Sequence, residues 1–514
     1  MRSTDRRIGA LIGLLSAAVA IAVAHLVAAF IDEAASPLNA VGAAVIDSSP
    51  SAVKEWAIAT FGTQDKLVLL IGIGVLLAAF AAGMGVLAMR RRWVAHVALF
   101  AFGAIGVVAA MTRPAATTLA PLPALAGVGA GLVAIRLLFA SERRARAGGE
   151  APFDPEPAGG FDRRRFLITG AALGASAALA GIGTRFVSAA TRRTVASRAS
   201  LRIPEPVSLA RNKQGVDLGI RGLSSYRTPN AEFYRVDTAL IVPKVDAAEW
   251  RLRIHGMVDD EIEMDLAQLL DRPLIERDIT LACVSNEVGG NYIGNARWIG
   301  APLQPILEEA GVHTRADQLV SRSADGFTIG TPTAALLDGR DAMLAVAMNG
   351  EPLPLKHGFP VRMVVPGLYG YVSAMKWLVD MELTTFDAYD AYWISRGWAQ
   401  EAPIKTMSRI DTPRQSRELT VGEVPIAGVA WAQHTGIELV EVRIDEEEWR
   451  PAELAAEDTI DTWRQWVYRW DAPPGSHTIA VRATDRSGYT QTSRRAAPIP
   501  DGATGWHTID VTVV

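Results

Sequence analysis

The chain has 514 residues, 49% of them hydrophobic and 21% charged, with a formal net charge of −4 and one cysteine. At roughly 100–200 residues per domain it must hold several units, and its composition excludes chain-wide disorder and argues against a nucleic-acid partner. A single cysteine excludes a disulfide framework, a CxxC zinc site, a Cys-ligated iron–sulfur cluster and a CxxCH-attached haem.

In chain order, four apolar runs come first: Ile8–Ile31, Leu67–Met89, Trp93–Thr112 and Ala115–Ile135, none holding Asp, Glu, Lys or Arg. Each is long enough to cross a hydrocarbon core of ~30 Å as a helix, and a helix satisfies its own backbone in lipid. Residues 1–147 are therefore expected to form an all-α transmembrane bundle. Arg2, Arg6 and Arg7 precede the first run, Arg90, Arg91 and Arg92 separate the second from the third, and Arg136, Arg143, Arg144 and Arg146 follow the fourth. The positive-inside rule then places the N-terminus and the stretch after residue 140 in the cytoplasm. His25 and His96 sit at opposite depths of their runs, too far apart in level to share one haem, so no haem is expected.

Residues 148–195 read as a cytoplasmic linker and a fifth transmembrane helix. The run from Arg163, Arg164 and Arg165 through Phe166 and Leu167 into an uncharged Ala/Gly stretch resembles a twin-arginine translocation signal; an ordinary fifth helix with a basic flank is the other reading. Both place the residues after about 190 outside the cytoplasm, in an extracytoplasmic domain on a multi-pass cell-membrane protein.

Residues 196–408 read as a mixed α+β domain. Ala239–Val245, Trp250–His255, Asp278–Val284 and Val361–Val365 are strand candidates, and Leu303–Ala310 has helical amphipathic spacing. Residues 409–514 read as an immunoglobulin-like β-sandwich. Its strand candidates are Val424–Trp431, Ile437–Ile444, Gln465–Trp470, His477–Ala483 and His507–Val513, separated by turn-forming residues.

The lone thiol, Cys283, ends a strand candidate and opens a loop rich in Gly and Asn, residues that allow close backbone approach. By itself such a cysteine is a small buried hydrophobe or a thiolate nucleophile or ligand. The surrounding pattern, Cys283, Ser285, Asn286, Gly289, Gly290, Asn291, Trp298 and Gly300, resembles the molybdenum-ligand loop of the sulfite oxidase family. A second segment, from His357 through Arg362 to Gly367, resembles that family's pterin-binding stretch, and Met375, Lys376 and Trp377 resemble its phosphate-contacting stretch. The β-rich tail resembles its dimerisation domain. The likeness spans roughly residues 225–495 and leaves out the membrane half.

The resemblance implies a molybdenum–molybdopterin cofactor with Cys283 as the metal's protein ligand. Tyr234, Ser285, Asn286, His357, Arg362, Ser373, Lys376 and Trp377 are the implied cofactor contacts. Arg362 offers a planar fork and Lys376 a point charge for anionic oxygens, and His357 a ring nitrogen donor. Arg235 is the candidate substrate-binding arginine. Tyr392 is the candidate active-site tyrosine, with Tyr389 as rival and aromatic packing as the other reading of both. Asp237, two residues after Arg235, opposes a dianionic substrate such as sulfite. The expected function is oxygen-atom transfer on a small sulfur or nitrogen oxo compound, with an external cytochrome or quinone-linked carrier, membrane lipid and a homodimer mate as partners. A reductase of methionine sulfoxide or other S-/N-oxides is the alternative within the family. A non-catalytic membrane receptor or assembly module is the alternative from another class.

Overall fold

The computed structural model describes residues 3–50, 53, 56–57, 60–61, 64–147 and 189–514. The linker, the paired arginines Arg163 and Arg164 and the expected fifth helix lie outside the described residues. The chain divides into two compact units: residues 1–193 with Thr238–Val242, and Thr194–Asp237 with Pro243–Val514.

The first unit is helical: α1 (Ser3–Ile31), α2 (Pro37–Ser48), α3 (Asp65–Ala88), α4 (Trp93–Met111) and α5 (Leu122–Ala147); α6 (Ala189–Ser200), after the undescribed stretch, spans the division between the units and lies mostly in the second. Four of these helices are long and apolar enough to cross a membrane: Thr4–Ile31, Lys66–Ala88, Trp93–Met111 and Leu122–Arg143. Glycines set the spacing of α1 and α3. A side chain at Gly13 or Gly85 would run into the facing backbone, the close approach that small residues permit between apolar helices. The expected run Ala115–Ile135 is shifted, because the helix starts only at Leu122. Pro114 and Pro121 keep the chain out of helix before that point, and Pro123 fits the first turn, where no amide hydrogen is needed.

The second unit holds the β-structure. Strands β1 (Arg251–Gly256) and β2 (Ile262–Asp265) lead into α7 (Leu266–Leu270), followed by β3 (Ile275–Ala282), β4 (Ile293–Pro302) and α8 (Leu303–Ala310). Then come β5 (Gln318–Ser323), β6 (Thr328–Pro332), β7 (Met343–Met348), β8 (Glu351–Pro352), β9 (Arg362–Val364), α9 (Gly370–Ser373) and β10 (Leu378–Thr384). They form two sheets, one ordered β2-β1-β10-β5-β6 and one ordered β3-β4-β7-β8 with β9 added to β7. Helix α8 matches its expected bounds. Leu303, Ile306, Leu307 and Ala310 line its buried face, and Gly311 closes it at φ 67°, the left-handed cap that glycine adopts without strain. The expected strand Ala239–Val245 is not one. Ala239, Leu240, Ile241 and Val242 join the helical unit, where Leu240 lies against Gly42, and Pro243 removes a ladder donor.

The remaining strands are β11 (Met407–Thr412), β12 (Arg417–Leu419), β13 (Gly422–Trp431), β14 (Ile437–Ile444), β15 (Arg450–Pro451), β16 (Glu453–Leu454), β17 (Arg464–Ala472), β18 (Gly475–Asp485) and β19 (His507–Val513). Two sheets, β11-β13-β17-β16 and β12-β19-β18-β14-β15, share one core: Ile426, Ala430 and Trp466 of the first meet Val440, Val481 and Ile509 of the second. This β-rich region begins at Met407, since β11 pairs with β13. The expected boundary between residues 408 and 409 therefore falls inside a strand.

Candidate active site

Cys283 follows directly on β3. The β3–β4 ladder runs to Ala282↔Ile293, and Cys283 continues it by donating its N–H to Tyr292 O at 2.9 Å. The intervening loop is tied by Asn286. Its N–H donates to Cys283 O at 3.1 Å, and its Oδ1 accepts the Tyr292 N–H at 2.8 Å. A side chain at Gly290 would sit 2.5 Å from that same Oδ1, which explains the second glycine of the pair. Burial raises the Cys283 thiol above its usual range, and the Ser285 amide and hydroxyl and the Lys376 charge oppose the rise. The thiol is 9% exposed and free.

Around it lie the residues of the second and third motifs. Arg362 is buried, stacks 4.9 Å over the Trp298 ring and donates from Nη1 to His357 O at 3.2 Å. Its Nε has no hydrogen-bond partner, and no carboxylate among the described residues pairs with it. Burial pulls Arg362 down to about 10, so it remains a cation. A buried cation with an unsatisfied N–H is costly unless an anion arrives.

His357 packs edge-on against Phe233, and its Nε2 lies 3.1 Å from Asn230 O. A carbonyl only accepts, so Nε2 carries the hydrogen. Burial, then the Arg362 charge, push His357 down to about 3. The ring is neutral and its Nδ1 is an acceptor. That corrects the expected role, because the donor nitrogen is already engaged with the protein.

Lys376 donates to Asp237 Oδ2 and to Val236 O, and burial pulls it down to about 8 while Asp237 opposes. Gly358, at φ 111°, lets the His357 turn pack on both Arg362 and Lys376; a side chain there would come within 3.1 Å of each. Trp377 donates Nε1 to Leu355 O at 2.8 Å and so braces the same turn.

The structure brings together Cys283, Tyr234, Ser285, Asn286, His357, Arg362, Lys376 and Trp377. Ser373 is placed differently from its expected role. Its hydroxyl is fully buried and donates to Leu368 O and Tyr369 O, so it shapes the turn after β9 instead of offering a contact. Arg235 holds Asp237 with Nε at 2.7 Å and Nη2 at 3.1 Å, and Lys376 shares that carboxylate. Tyr392 lies with Phe327, Trp393 and Arg396, the guanidinium stacking 3.6 Å over its ring. Tyr389 donates to Thr328 Oγ1 at 3.3 Å. Packing accounts for these contacts of both residues. The tyrosines beside the thiol are Tyr234 and Tyr369: burial raises both hydroxyls, and a charge on Cys283 adds to the rise. The sequence reading missed Tyr369 and Asn230. Tyr369 stands two residues beyond the pterin-like stretch that ends at Gly367, and Asn230 acts through its backbone, which no side-chain pattern reveals.

Among the described residues no group of three or more His, Cys, Asp or Glu is placed to hold a metal ion. One soft sulfur donor beside an unsatisfied buried guanidinium suits a metal that arrives inside an anionic, sulfur-bearing cofactor. The residues fit a molybdopterin group.

Residues 239–393 match the family described as the oxidoreductase molybdopterin binding domain. The mitochondrial sulfite oxidase of Homo sapiens is 30% identical over 344 residues, covering 56% of this chain and 62% of that protein. The chain thus spans less than two thirds of that relative's length. The uncharacterized oxidoreductase YuiH of Bacillus subtilis is 32% identical over 153 residues, covering 30% of this chain and 74% of that protein. Among solved structures, the sulfane dehydrogenase SoxCD from Paracoccus pantotrophus has a TM-score of 0.49 at 23% identity, covering 55% of this chain and 80% of that one. On its motifs and its sequence relatives, the chain belongs to the sulfite oxidase family of molybdopterin-dependent oxidoreductases.

Proposed function

We propose that this chain is a membrane-anchored enzyme that moves an oxygen atom to or from a small sulfur or nitrogen oxo compound outside the cytoplasm. The observation that carries the reading is that the sole thiol, Cys283, and the buried, partly unsatisfied guanidinium of Arg362 both act on the buried Tyr234 hydroxyl. Cys283 would hold the metal through sulfur, and Arg362, Lys376, Tyr234 and Ser285 would hold the rest of the group. When bound, the cofactor supplies a two-electron change coupled to oxygen-atom transfer.

The chain's own residues prepare that site. The Ser285 donors and the Lys376 charge favour the thiolate needed for ligation. Arg362 offers a charge-assisted hydrogen bond to an anionic oxygen. Neutral His357 adds no further charge and presents an acceptor. Burial of the cluster excludes water and strengthens each of these interactions.

A second reading, a reductase of S- or N-oxides, is favoured by Asp237. Its carboxylate is 7% exposed and neutralises Arg235 and Lys376 together. A dianion would meet cations already paired, whereas a neutral oxide has no such conflict.

Supporting the wider reading, the four long helices carry large apolar side chains on their outer surfaces, as lipid contact requires. The twin-arginine-like run suits export of a folded, loaded domain. The two-sheet C-terminal region is read as immunoglobulin-like and as a homodimer surface. One cysteine in the chain leaves no place for a cysteine-ligated cluster, so electrons are exchanged with an external carrier.

The test is metal and pterin analysis of the purified full chain, then turnover with dye donors and dye acceptors. Expected are about one molybdenum and one pterin per chain and loss of turnover in Cys283→Ser by at least about 100-fold, the upper end of what losing a group behind a ligand costs. Protein without molybdenum or pterin, or full turnover in Cys283→Ser, overturns the reading. Activity with a dye donor and an S-oxide, and none with sulfite and an acceptor, selects the reductase.

A further inference from the structure

The loop that carries Cys283 is held from two directions. Its base is held by its own ladder and by Asn286. Its tip is held by side chains of the C-terminal β-rich region. Arg409, on β11, donates from Nη1 to Gly290 O at 2.8 Å. The same guanidinium is fixed by Asp411, with Nε at 2.6 Å from Oδ1, and by Ser224, with Nη2 at 3.0 Å from Oγ. Its side chain is 6% exposed. The cation is therefore locked before it reaches the loop.

His507, on β19, lays its ring against Gly289, which sits at φ 80°. Any side chain at 289 would collide with that ring. The ring's own orientation is set by its Nδ1, which accepts the Ile410 N–H at 2.9 Å. Burial, then the Arg409 charge, hold His507 neutral by pushing it down to about 4.

The strand leading to the thiol is gripped from the same side. Gln433 Nε2 donates to Thr280 O at 3.2 Å, and the Trp463 N–H donates to Thr280 Oγ1 at 2.8 Å. Beside the loop tip, by contrast, opens a polar cavity of about 390 Å³ lined by Gly222, Ser224, Gly289, Asn291, Arg409 and His507.

We propose that Arg409 and His507 are positioning residues for the Cys283 thiolate: they clamp Gly290 and Gly289 and so fix the direction from which the sulfur meets the metal. Groups behind a ligand govern how well it binds and what it does to the metal, and their loss typically costs about 10–100-fold. A tolerance of about 0.5 Å at such a ligand makes a loose loop tip consequential. The proposal rests on the reading of Cys283 as metal ligand, but the first arm of its test does not.

Because Cys283 is the only cysteine, alkylation of the chain reports on this loop alone. Full-length Arg409→Met and His507→Gln are compared with wild type in cofactor-free form, with thermal unfolding confirming that each is folded. Expected is alkylation by iodoacetamide about tenfold faster in Arg409→Met, the scale of one lost charge-assisted hydrogen bond, and also faster than wild type in His507→Gln, with partial recovery in Arg409→Lys. In cofactor-loaded protein the same variants are expected to shift the Mo(V) electron paramagnetic resonance signal and to lower kcat with little change in KM. Unchanged alkylation in the folded variants overturns the clamp. Should Arg409→Met fail to fold, His507→Gln decides, since it keeps an acceptor for Ile410 and loses only the ring against Gly289. Faster alkylation with an unshifted Mo(V) signal supports the clamp and counts against Cys283 as the ligand.

Discussion

The two units solve opposite problems, one with apolar side chains and the other with charged ones. In the helical unit large apolar side chains face outward: Val75 is 62% exposed and Leu76 72% exposed. In the β-rich unit charged side chains face inward: Arg362 is buried, and the paired side chains of Lys376 and Asp237 are only 12% and 7% exposed. Outward apolar groups are tolerable where the surroundings are themselves apolar. Inward charges are tolerable where they pair or await a charged guest. The first arrangement suits anchoring in lipid and the second suits holding an anionic cofactor.

That contrast can be broken at its strongest point on α3. A charge at Leu76, as in Leu76→Arg, is expected to cost about 2.5–3.5 kcal/mol of membrane insertion. Alkaline carbonate extraction should then release a large share of the variant and little of the wild type. Equal retention of both would mean that this face of α3 does not meet lipid.

A smaller effect sharpens the inward side. His357 and His507 are held down to about 3 and about 4 by burial, whereas an unfolded histidine takes up its proton near pH 6.5. The folded state thus binds fewer protons than the unfolded state below that pH. Its stability is complete above about 6.5 and falls as pH drops toward the folded values, by roughly 1 kcal/mol per pH unit for each histidine. Unfolding midpoints measured between pH 7 and 4.5 should show this slope, and His507→Gln should flatten it by about half of the two-histidine share. A slope unchanged in that variant would mean that His507 is charged in the folded protein.

Smallest of all is Tyr392→Phe, which keeps the ring contacts with Phe327, Trp393 and Arg396. Turnover should stay within about twofold of wild type, whereas a drop of about 100-fold, the size of a lost proton-transfer group, would restore Tyr392 as catalytic.

Local pattern carried much of this architecture. Alternation marked Ile437–Ile444 and His507–Val513 with their observed bounds, and helical spacing did the same for Leu303–Ala310. The thiol loop was legible because its glycines and Asn286 answer to contacts within a few residues. What stayed hidden depends on distant partners. Ala239–Val245 has the composition of a strand, but its neighbours belong to the helical unit. Tyr392 follows the family pattern in type, while the tyrosines beside the thiol are chosen by folding. Asn230 acts through a carbonyl, and Arg409 and His507 reach the loop from far along the chain. No reading confined to a short window could pair them with it.

The separation along the chain between Cys283 and β19 has a consequence for the order of assembly. Translation proceeds at about 5–20 residues per second, so the ribosome needs on the order of ten seconds or more after Cys283 emerges before His507 exists. For that interval the nascent loop has no backing at Gly289. Secure seating of a cofactor therefore waits until β19 has been made, and ribosome-bound intermediates shorter than β19 should retain it poorly.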